Sequence, residues 1–226
     1  MSERVAIVVG AGGELGRATA EKLAAAGFTV VGTDRSENGL KELPDGIRRK
    51  VADPVDPVSA GSVIDRIAAE VGPPEVLVNT IGMYHLGDAL TATQEDLRLM
   101  MDVNVGPALW LTQAVVPYLR ERGSGSIVHV AARPGLEPTA GMATYAVSKA
   151  ALVHLTRVLD LELRPLGIRV NAVAPQLIDT AKTHPYLTPE VLAHAVAPGT
   201  VADVIVYLVS DAAAPVSGAI VPAYGA

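Results

Sequence analysis

The chain has 226 residues, of which 50% are hydrophobic, and a formal net charge of −6. One domain with a substantial core is expected, and the longest basic run, residues 48–50, is too short for a nucleic-acid surface. Cysteine is absent, which excludes disulfides and thiolate chemistry, and the five histidines lack metal-site spacing. We find no signal-peptide pattern and no membrane-spanning segment, so a cytoplasmic protein is predicted.

Short runs rich in Val and Ile predict strands separated by helices. The predicted strands cover residues 4–9, 28–34, 49–53, 76–81, 126–131, 168–175 and 218–223. Because these runs are continuous rather than alternating, helices are expected on both faces of the sheet. Segments with helical spacing lie between them, the longest at 96–123, and glycines 27, 72, 123 and 167 end four of them. The pattern predicts one α/β domain over residues 1–226, with a doubly wound parallel sheet.

A glycine-rich turn, VGAGGELG, follows the first strand. Gly10, Gly12, Gly13 and Gly16 allow a tight turn in which backbone N–H groups approach a pyrophosphate at a helix N-terminus. An ordinary strand-to-helix turn is the alternative, but the place of the motif between strand and helix favours a dinucleotide. Asp34 ends the second strand, where a carboxylate binds the ribose hydroxyls and repels a 2′-phosphate. We therefore predict NAD(H) rather than NADP(H).

Three other residues near this turn have two interpretations each. Arg17 and Arg35 either hold a phosphate, which would weaken the preference for NAD(H), or are solvated surface charges. Asp53, after the third strand, is a candidate for contact with the adenine amine, and an exposed turn residue is the alternative.

Tyr145 and Lys149 lie four residues apart on a predicted helix, so they share a face. A nearby ammonium stabilises a phenolate and lowers the pKa of the tyrosine, which suits proton exchange with a substrate oxygen. A YxxxK match alone is frequent by chance, but this one follows the fifth strand of a nucleotide-binding pattern.

Further motifs occur in a characteristic order. They are VNTIG (78–82), DVNVG (102–106), SIVHVAA (126–132), YAVSK (145–149), RVNAVAP (169–175) and VSGAIVPAYGA (216–226). Together with the glycine turn, they resemble the short-chain dehydrogenase/reductase family over nearly the whole chain. The resemblance implies a Rossmann-type sheet of seven strands, a nicotinamide cofactor, and hydride transfer coupled to proton transfer through a tyrosine.

The resemblance also implies roles for individual residues. Tyr145 would be the acid/base, Lys149 would lower its pKa and hold the nicotinamide ribose, and Asn104 would anchor a proton-relay water at a local helix break. The expected cofactor contacts are Gly10, Gly12, Gly13, Leu15, Gly16, Asp34, Arg35, Asp53, Asn79, Gly82, Tyr145, Lys149, Pro175 and Thr180. A homodimer or homotetramer would form through the helices around 103–121 and 146–164, for which core packing is the alternative. Residues 176–200 are a candidate substrate loop.

The chain departs from the family pattern where a catalytic serine is expected, 13 residues before the tyrosine. That position holds Ala132, and its neighbour is Ala131. Removing one such donor costs about 10²- to 10³-fold at oxyanion sites. A conjugated imine or quinonoid substrate needs the donor less than a simple ketone does, since its developing charge is delocalised. The dihydropteridine reductase branch, which lacks the serine, is similar in this respect, although Asn104 follows the mainstream pattern.

Other interpretations of Ala132 remain open. Surrogate donors for a carbonyl/alcohol reaction are Thr139, Tyr84 and His85, and Arg133 lies next to Ala132. The chain also departs from the family pattern at Glu14, Thr80 and Gln176. A second function is an NAD-binding pseudoenzyme or regulatory protein. Ala132, Glu14 and Gln176 favour this function, whereas the retained Tyr145, Lys149 and Asn104 oppose it. An engineered alanine is a third interpretation.

Overall fold

The computed structural model describes residues 4–181, residue 183 and residues 188–225. Within these residues, seven parallel strands form one sheet in the order β3-β2-β1-β4-β5-β6-β7. The strands are β1 (Val5–Val9), β2 (Thr29–Asp34), β3 (Arg48–Val51), β4 (Pro74–Asn79), β5 (Gly125–Val130), β6 (Ile168–Pro175) and β7 (Ile220–Ala223). The order runs outward from β1 in both directions, as in a doubly wound fold. The predicted fold class is therefore confirmed.

The helices of the same described residues cover both faces of the sheet. They are α1 (Glu14–Ala25), α2 (Glu37–Lys41), α3 (Pro57–Glu70), α4 (Gln94–Asn104), α5 (Gly106–Arg122), α6 (Ala143–Leu163), α7 (Pro189–Leu192) and α8 (Pro198–Val209). Successive residues of β1 pack into two hydrophobic cores, one on each face of the sheet. Val8 packs with residues of α1 and α8, whereas Ile7 packs with residues of α3, α5 and α6. This two-sided burial explains the continuous apolar runs in the sequence.

The longest predicted helix, 96–123, is divided into α4 and α5 at Val105. Thr93 and Asp96 form a capping box that fixes the start of α4. Pro107 lies in the first turn of α5, where a residue without an N–H is tolerated, because the first amides of a helix have no intrahelical acceptor. The amide of Ala108 donates to the Val105 carbonyl, so the α-helical bond to the Asn104 carbonyl is not made.

The four glycines predicted to end helices all have positive φ, from 72° at Gly123 to 135° at Gly72.

The parallel register brings the carboxyl ends of the central strands to one edge of the sheet. The segments that follow β1, β4, β5 and β6 begin at Gly10, Thr80, Ala131 and Gln176, and they meet at this edge. In the part of the chain that the structure describes, no helix is both long and apolar enough to cross a membrane.

Candidate active site

The turn between β1 and α1 is tightly packed against its surroundings. Gly10 has a φ of 85°, and a Cβ built there would lie 2.6 Å from Thr80 Oγ1. A Cβ on Gly16 would overlap the carbonyl oxygen of Gly10. Gly13 is the N-cap of α1 and provides no side-chain cap for the first amides of the helix. These amides form a positively polarised helix end that suits a pyrophosphate.

Asp34 lies beside this turn. Its Oδ2 accepts a hydrogen bond from the amide of Gly12 at 3.1 Å, and its Oδ1 accepts one from the amide of Ser36 at 2.8 Å. The structure therefore joins two predicted cofactor positions, one in the turn after β1 and one at the end of β2. Arg35 is exposed, and Arg17 Nη1 lies 3.7 Å from Glu42 Oε2.

Asp53 is exposed after β3 and stabilises its own turn, because its Oδ1 accepts a hydrogen bond from the amide of Val55 at 3.0 Å. Leu15 is buried in the first turn of α1. For both residues, cofactor contact stays a prediction.

The turn after β4 lies between the glycine turn and α6. Asn79 is buried, and its Oδ1 accepts from the amide of Ile81 at 3.0 Å. Thr80, which replaces an asparagine of the family pattern, donates to the carbonyl of Val9 at 2.8 Å. At Gly82, a Cβ would lie 2.9 Å from Lys149 Nζ and 3.3 Å from Asn104 Oδ1. A larger residue at this position would therefore displace the Lys149 ammonium and crowd the Asn104 amide.

Asn104 joins three segments of the site through its side-chain amide. Its Oδ1 accepts from the Met83 amide at 2.7 Å, and its Nδ2 donates to the Met83 carbonyl at 3.0 Å. Nδ2 also donates to Ser148 Oγ at 2.9 Å, and the Ser148 hydroxyl donates to the Tyr145 carbonyl at 2.7 Å. We call these contacts the Asn104 clamp. Ser148 and Met83 were not predicted as site residues, although Ser148 is the fourth residue of the YAVSK motif.

Lys149 is buried, and its Nζ donates to the carbonyl of Val130 at 2.9 Å. Burial lowers the pKa of Lys149 to about 8. Burial raises the pKa of Tyr145 above its ordinary value, and Tyr84 adds to the increase. The sequence predicted the opposite direction, a pKa lowered by Lys149. In this structure that direction is wrong, because the loss of hydration outweighs any stabilisation of the phenolate.

Ala132 is 5% exposed and extended, immediately after β5 and Ala131. The next residue, Arg133, points towards the ends of β6 and β7. It donates to Glu137 Oε2 at 2.7 Å and to Gln176 Oε1 at 3.0 Å, and its guanidinium lies 5.1 Å from the centroid of the Tyr224 ring. Glu137 and Tyr224 were not predicted, since only the folded chain brings them to Arg133.

The three proposed surrogate donors differ in their surroundings. The rings of Tyr84 and Tyr145 meet edge to face, with centroids 5.2 Å apart and an interplanar angle of 71°. His85 Nε2 lies 3.7 Å from Asp96 Oδ1, and Thr139 Oγ1 donates to the Glu137 carbonyl at 3.3 Å. Tyr84 is therefore the candidate donor whose ring contacts the ring of Tyr145.

The segment after β6 reaches back to the glycine turn. Pro175 is buried, and the amide of Thr180 donates to Thr183 Oγ1 at 3.2 Å. The amide of Ala181 donates to Glu14 Oε1 at 2.8 Å, so the unusual glutamate of the glycine motif contacts this segment. Ile178 and Val196 form an isolated parallel bridge. Part of the predicted substrate loop, residues 182 and 184–187, lies outside the described residues.

Among the described residues, no group of three or more His, Asp or Glu side chains is arranged to hold a metal ion. The polar groups of the site are instead a phenol, an ammonium, amides and hydroxyls. These groups can donate hydrogen bonds to a substrate oxygen, and the phenol can exchange a proton with it.

Comparisons with known proteins agree with this geometry. The family model for short chain dehydrogenases matches residues 4–191. The 3-oxoacyl-(acyl-carrier-protein) reductase FabG of Escherichia coli K12 is 32% identical, over 95% of this chain and 93% of that protein. FabG of Thermotoga maritima is also 32% identical, over 96% and 95% respectively. The crystal structure of gox2181 superposes with a TM-score of 0.91 at 29% identity and covers 98% of this chain and 94% of its own.

Proposed function

The chain belongs to the short-chain dehydrogenase/reductase family of oxidoreductases, which use a nicotinamide cofactor, and on that premise we propose that it is NAD(H)-dependent. The substrate is a small carbonyl/alcohol compound or a conjugated imine or quinonoid. The observation that carries the proposal is that Tyr145, Lys149 and Asn104 converge at the turn after β4, beside Gly82. When bound, the reduced nicotinamide supplies a hydride, and the chain supplies orientation and the proton.

The cofactor preference is proposed from Asp34. Its carboxylate is fixed at the glycine turn by the Gly12 amide, where it binds the adenosine ribose hydroxyls and repels a 2′-phosphate. Arg17 lies close to Glu42, which partly neutralises the guanidinium, and Arg35 is a solvated charge. The helix end at Gly13 and Glu14 holds the pyrophosphate through backbone amides.

The proton in the reduction direction comes from Tyr145. Its raised pKa keeps the phenol protonated, so the hydroxyl can donate to the substrate oxygen as negative charge develops there. Lys149, with a pKa of about 8, holds the nicotinamide ribose and assists the return of a proton to Tyr145. The Asn104 carbonyl, released from its α-helical partner at the break, accepts a hydrogen bond from a relay water.

Two larger features belong to the same proposal. The substrate-loop region is assigned to residues 176–200, a range that includes α7 and the start of α8. The contact between Ala181 and Glu14 supports a position beside the cofactor turn. Copies of the chain pair through α5 and α6. This pairing is supported by the exposed apolar residues of α6, with Val147 56% and Leu161 70% exposed.

The first experiment measures NADH oxidation with simple ketones, quinones and cyclic imines, and with NADPH in parallel. We expect turnover, with a higher kcat/KM for NADH than for NADPH. Tyr145→Phe should lower kcat about 10²- to 10⁴-fold, because the ring is kept and the proton donor is lost. Tyr207→Phe, on an exposed position of α8, is the matched control and should keep the original rate.

Two results would contradict the proposal. If NADH binds but no acceptor is reduced, the pseudoenzyme is the better interpretation, and Ala132 explains its inactivity. If Tyr145→Phe retains the full rate, Tyr145 is not the acid/base. A preference for NADPH would overturn only the assignment of Asp34.

A further inference from the structure

The Asn104 clamp fixes the loop that carries Tyr84. Both backbone groups of Met83 are bonded to the Asn104 side chain, at 2.7 and 3.0 Å. Asn104 itself is buried, and Ser148 connects it to the backbone of Tyr145. Tyr84 follows Met83 directly, so its position is tied to the helix that carries Tyr145.

Tyr84 contacts Tyr145 and is also partly exposed to solvent. The edge-to-face packing at 5.2 Å defines the relative position of the two rings, and such pairs are stabilised beyond their buried area. Tyr84 is 54% exposed, so a ligand entering beside Tyr145 can reach it. The pKa of each phenol is raised, in Tyr84 by burial and in Tyr145 by burial and Tyr84. Both hydroxyls therefore carry a proton at neutral pH.

The Ser148 hydroxyl and the other two candidate donors, Thr139 and His85, have partners of their own. The Ser148 hydroxyl donates to the Tyr145 carbonyl, and the Thr139 hydroxyl donates to the Glu137 carbonyl. His85 faces Asp96 across 3.7 Å. Tyr84 combines solvent exposure, ring contact with the proposed proton donor Tyr145 and a neighbouring backbone held by Asn104. Among the three candidate donors, it is therefore the one best placed to be preorganised beside Tyr145.

We propose that the Tyr84 hydroxyl donates a second hydrogen bond to the substrate oxygen, in the role that a serine hydroxyl at position 132 would have, and that the substrate is accordingly a carbonyl compound. This inference rests on the proposed function. A hydride supplied by bound reduced nicotinamide would add to the carbonyl carbon, and the electron pair of the C=O π bond would move to oxygen. Tyr145 gives its proton to that oxygen, which forms the alcohol, and solvent later reprotonates Tyr145. Tyr84 keeps its proton throughout and stabilises the developing charge.

The test compares Tyr84→Phe with the original chain on ketones. We expect kcat/KM to fall about 10²- to 10³-fold, the range for removal of one oxyanion donor, while NADH affinity is unchanged. The phenylalanine retains the ring packing, so the loss reports the hydroxyl. Tyr84→Leu, which removes the ring as well, should be no more than a few-fold worse than Tyr84→Phe. Tyr207→Phe, which removes a phenol hydroxyl from an exposed position of α8, is the matched control and should keep the original rate.

Rescue by serine separates catalysis from packing. Ala132→Ser should raise ketone reduction far more in the Tyr84→Phe background than in the original chain, because the two hydroxyls serve the same oxygen. A full rate in Tyr84→Phe overturns the inference, and so does equal gain from Ala132→Ser in both backgrounds. If Tyr145→Phe is inactive while Tyr84→Phe is not, the inference fails and the proposed function stands. Inactivity of the original chain towards every acceptor is failure of the proposed function instead.

Discussion

His129 is a buried titratable group beneath the candidate active site. It lies in β5, and within the described residues neither ring nitrogen has a hydrogen-bond partner. Burial, with a smaller contribution from Lys149, lowers the pKa of His129 to about 4 from an ordinary 6.5. The folded chain thus holds this imidazole neutral at pH values where the unfolded chain protonates it.

We predict that this histidine makes the protein sensitive to acid. Because the pKa is lower in the folded state, the free energy of unfolding falls as pH decreases from about 6.5 to about 4, by roughly 2 kcal/mol between pH 7 and pH 5. In His129→Leu, of similar volume, that part of the pH dependence should disappear. Urea denaturation at the two pH values measures it, with the exposed His154→Gln as control. An unchanged pH dependence in His129→Leu would contradict the assignment.

The active-site residues show which features of the site could be predicted from the sequence and which could not. The spacing of Tyr145 and Lys149 pointed to proton transfer, but the direction of the Tyr145 pKa was predicted incorrectly, because burial is a property of the folded chain. Tyr84, His85 and Thr139 could be named as donors from their positions, but not ranked. Their contacts depend on segments far apart in the sequence, such as the two that bring the rings of Tyr84 and Tyr145 together.

At the scale of secondary-structure elements, the turn between β1 and α1 has little spare volume. A Cβ on Gly16 would overlap the Gly10 carbonyl, whereas on Gly13 its nearest described contact would be that same oxygen at 3.5 Å, an ordinary van der Waals distance. The two glycines therefore differ in what they contribute. Gly16 permits close packing of the helix on the turn, and Gly13 leaves the helix end open to a ligand.

Alanine substitutions at these two glycines should separate stability from binding. We expect Gly16→Ala to lower the free energy of unfolding by about 1–3 kcal/mol, the usual cost of overpacking. Gly13→Ala should leave stability nearly unchanged. Urea denaturation without cofactor distinguishes them, and equal loss of stability in both variants would contradict the steric explanation.

The sequence predicted most elements well and some connections poorly. Apolar runs located the central strands, β1, β2, β4, β5 and β6, since burial on both faces leaves a strong signal. The edge strands β3 and β7 were also predicted, although β3 is mostly exposed and β7 only partly buried. The division of segment 96–123 into α4 and α5 was expected only from the family resemblance, although Gly106 and Pro107 are consistent with a new helix start. The cluster of Arg133, Glu137, Gln176 and Tyr224 was not predicted, because its side-chain contacts join segments that follow three different strands.

For the whole molecule, the exposed face of α6 is the feature that bears on assembly. Leu161, at 70% exposure, lies on this helix, and its side chain makes little contribution to the core. A self-associating pair of helices would cover such residues.

We predict that Leu161→Glu shifts the protein towards monomer without changing its fold. Placing a carboxylate in a buried contact between copies is unfavourable, whereas the same substitution on a free surface costs little. Sedimentation velocity of both proteins over a range of concentrations measures the shift. Leu90→Glu, at a fully exposed leucine outside the helices, is the control. If the original chain is already a monomer, or Leu161→Glu assembles normally, the proposed pairing is wrong.

The Asn104 clamp has a consequence for how this site can evolve. It holds the Tyr84 loop and the Tyr145 helix together through Met83 and Ser148, and none of its bonds involves Ala132. An exchange between alanine and serine at position 132 therefore breaks none of these bonds. Because the clamp keeps the other groups in place, neither direction of that exchange requires compensating changes within the clamp.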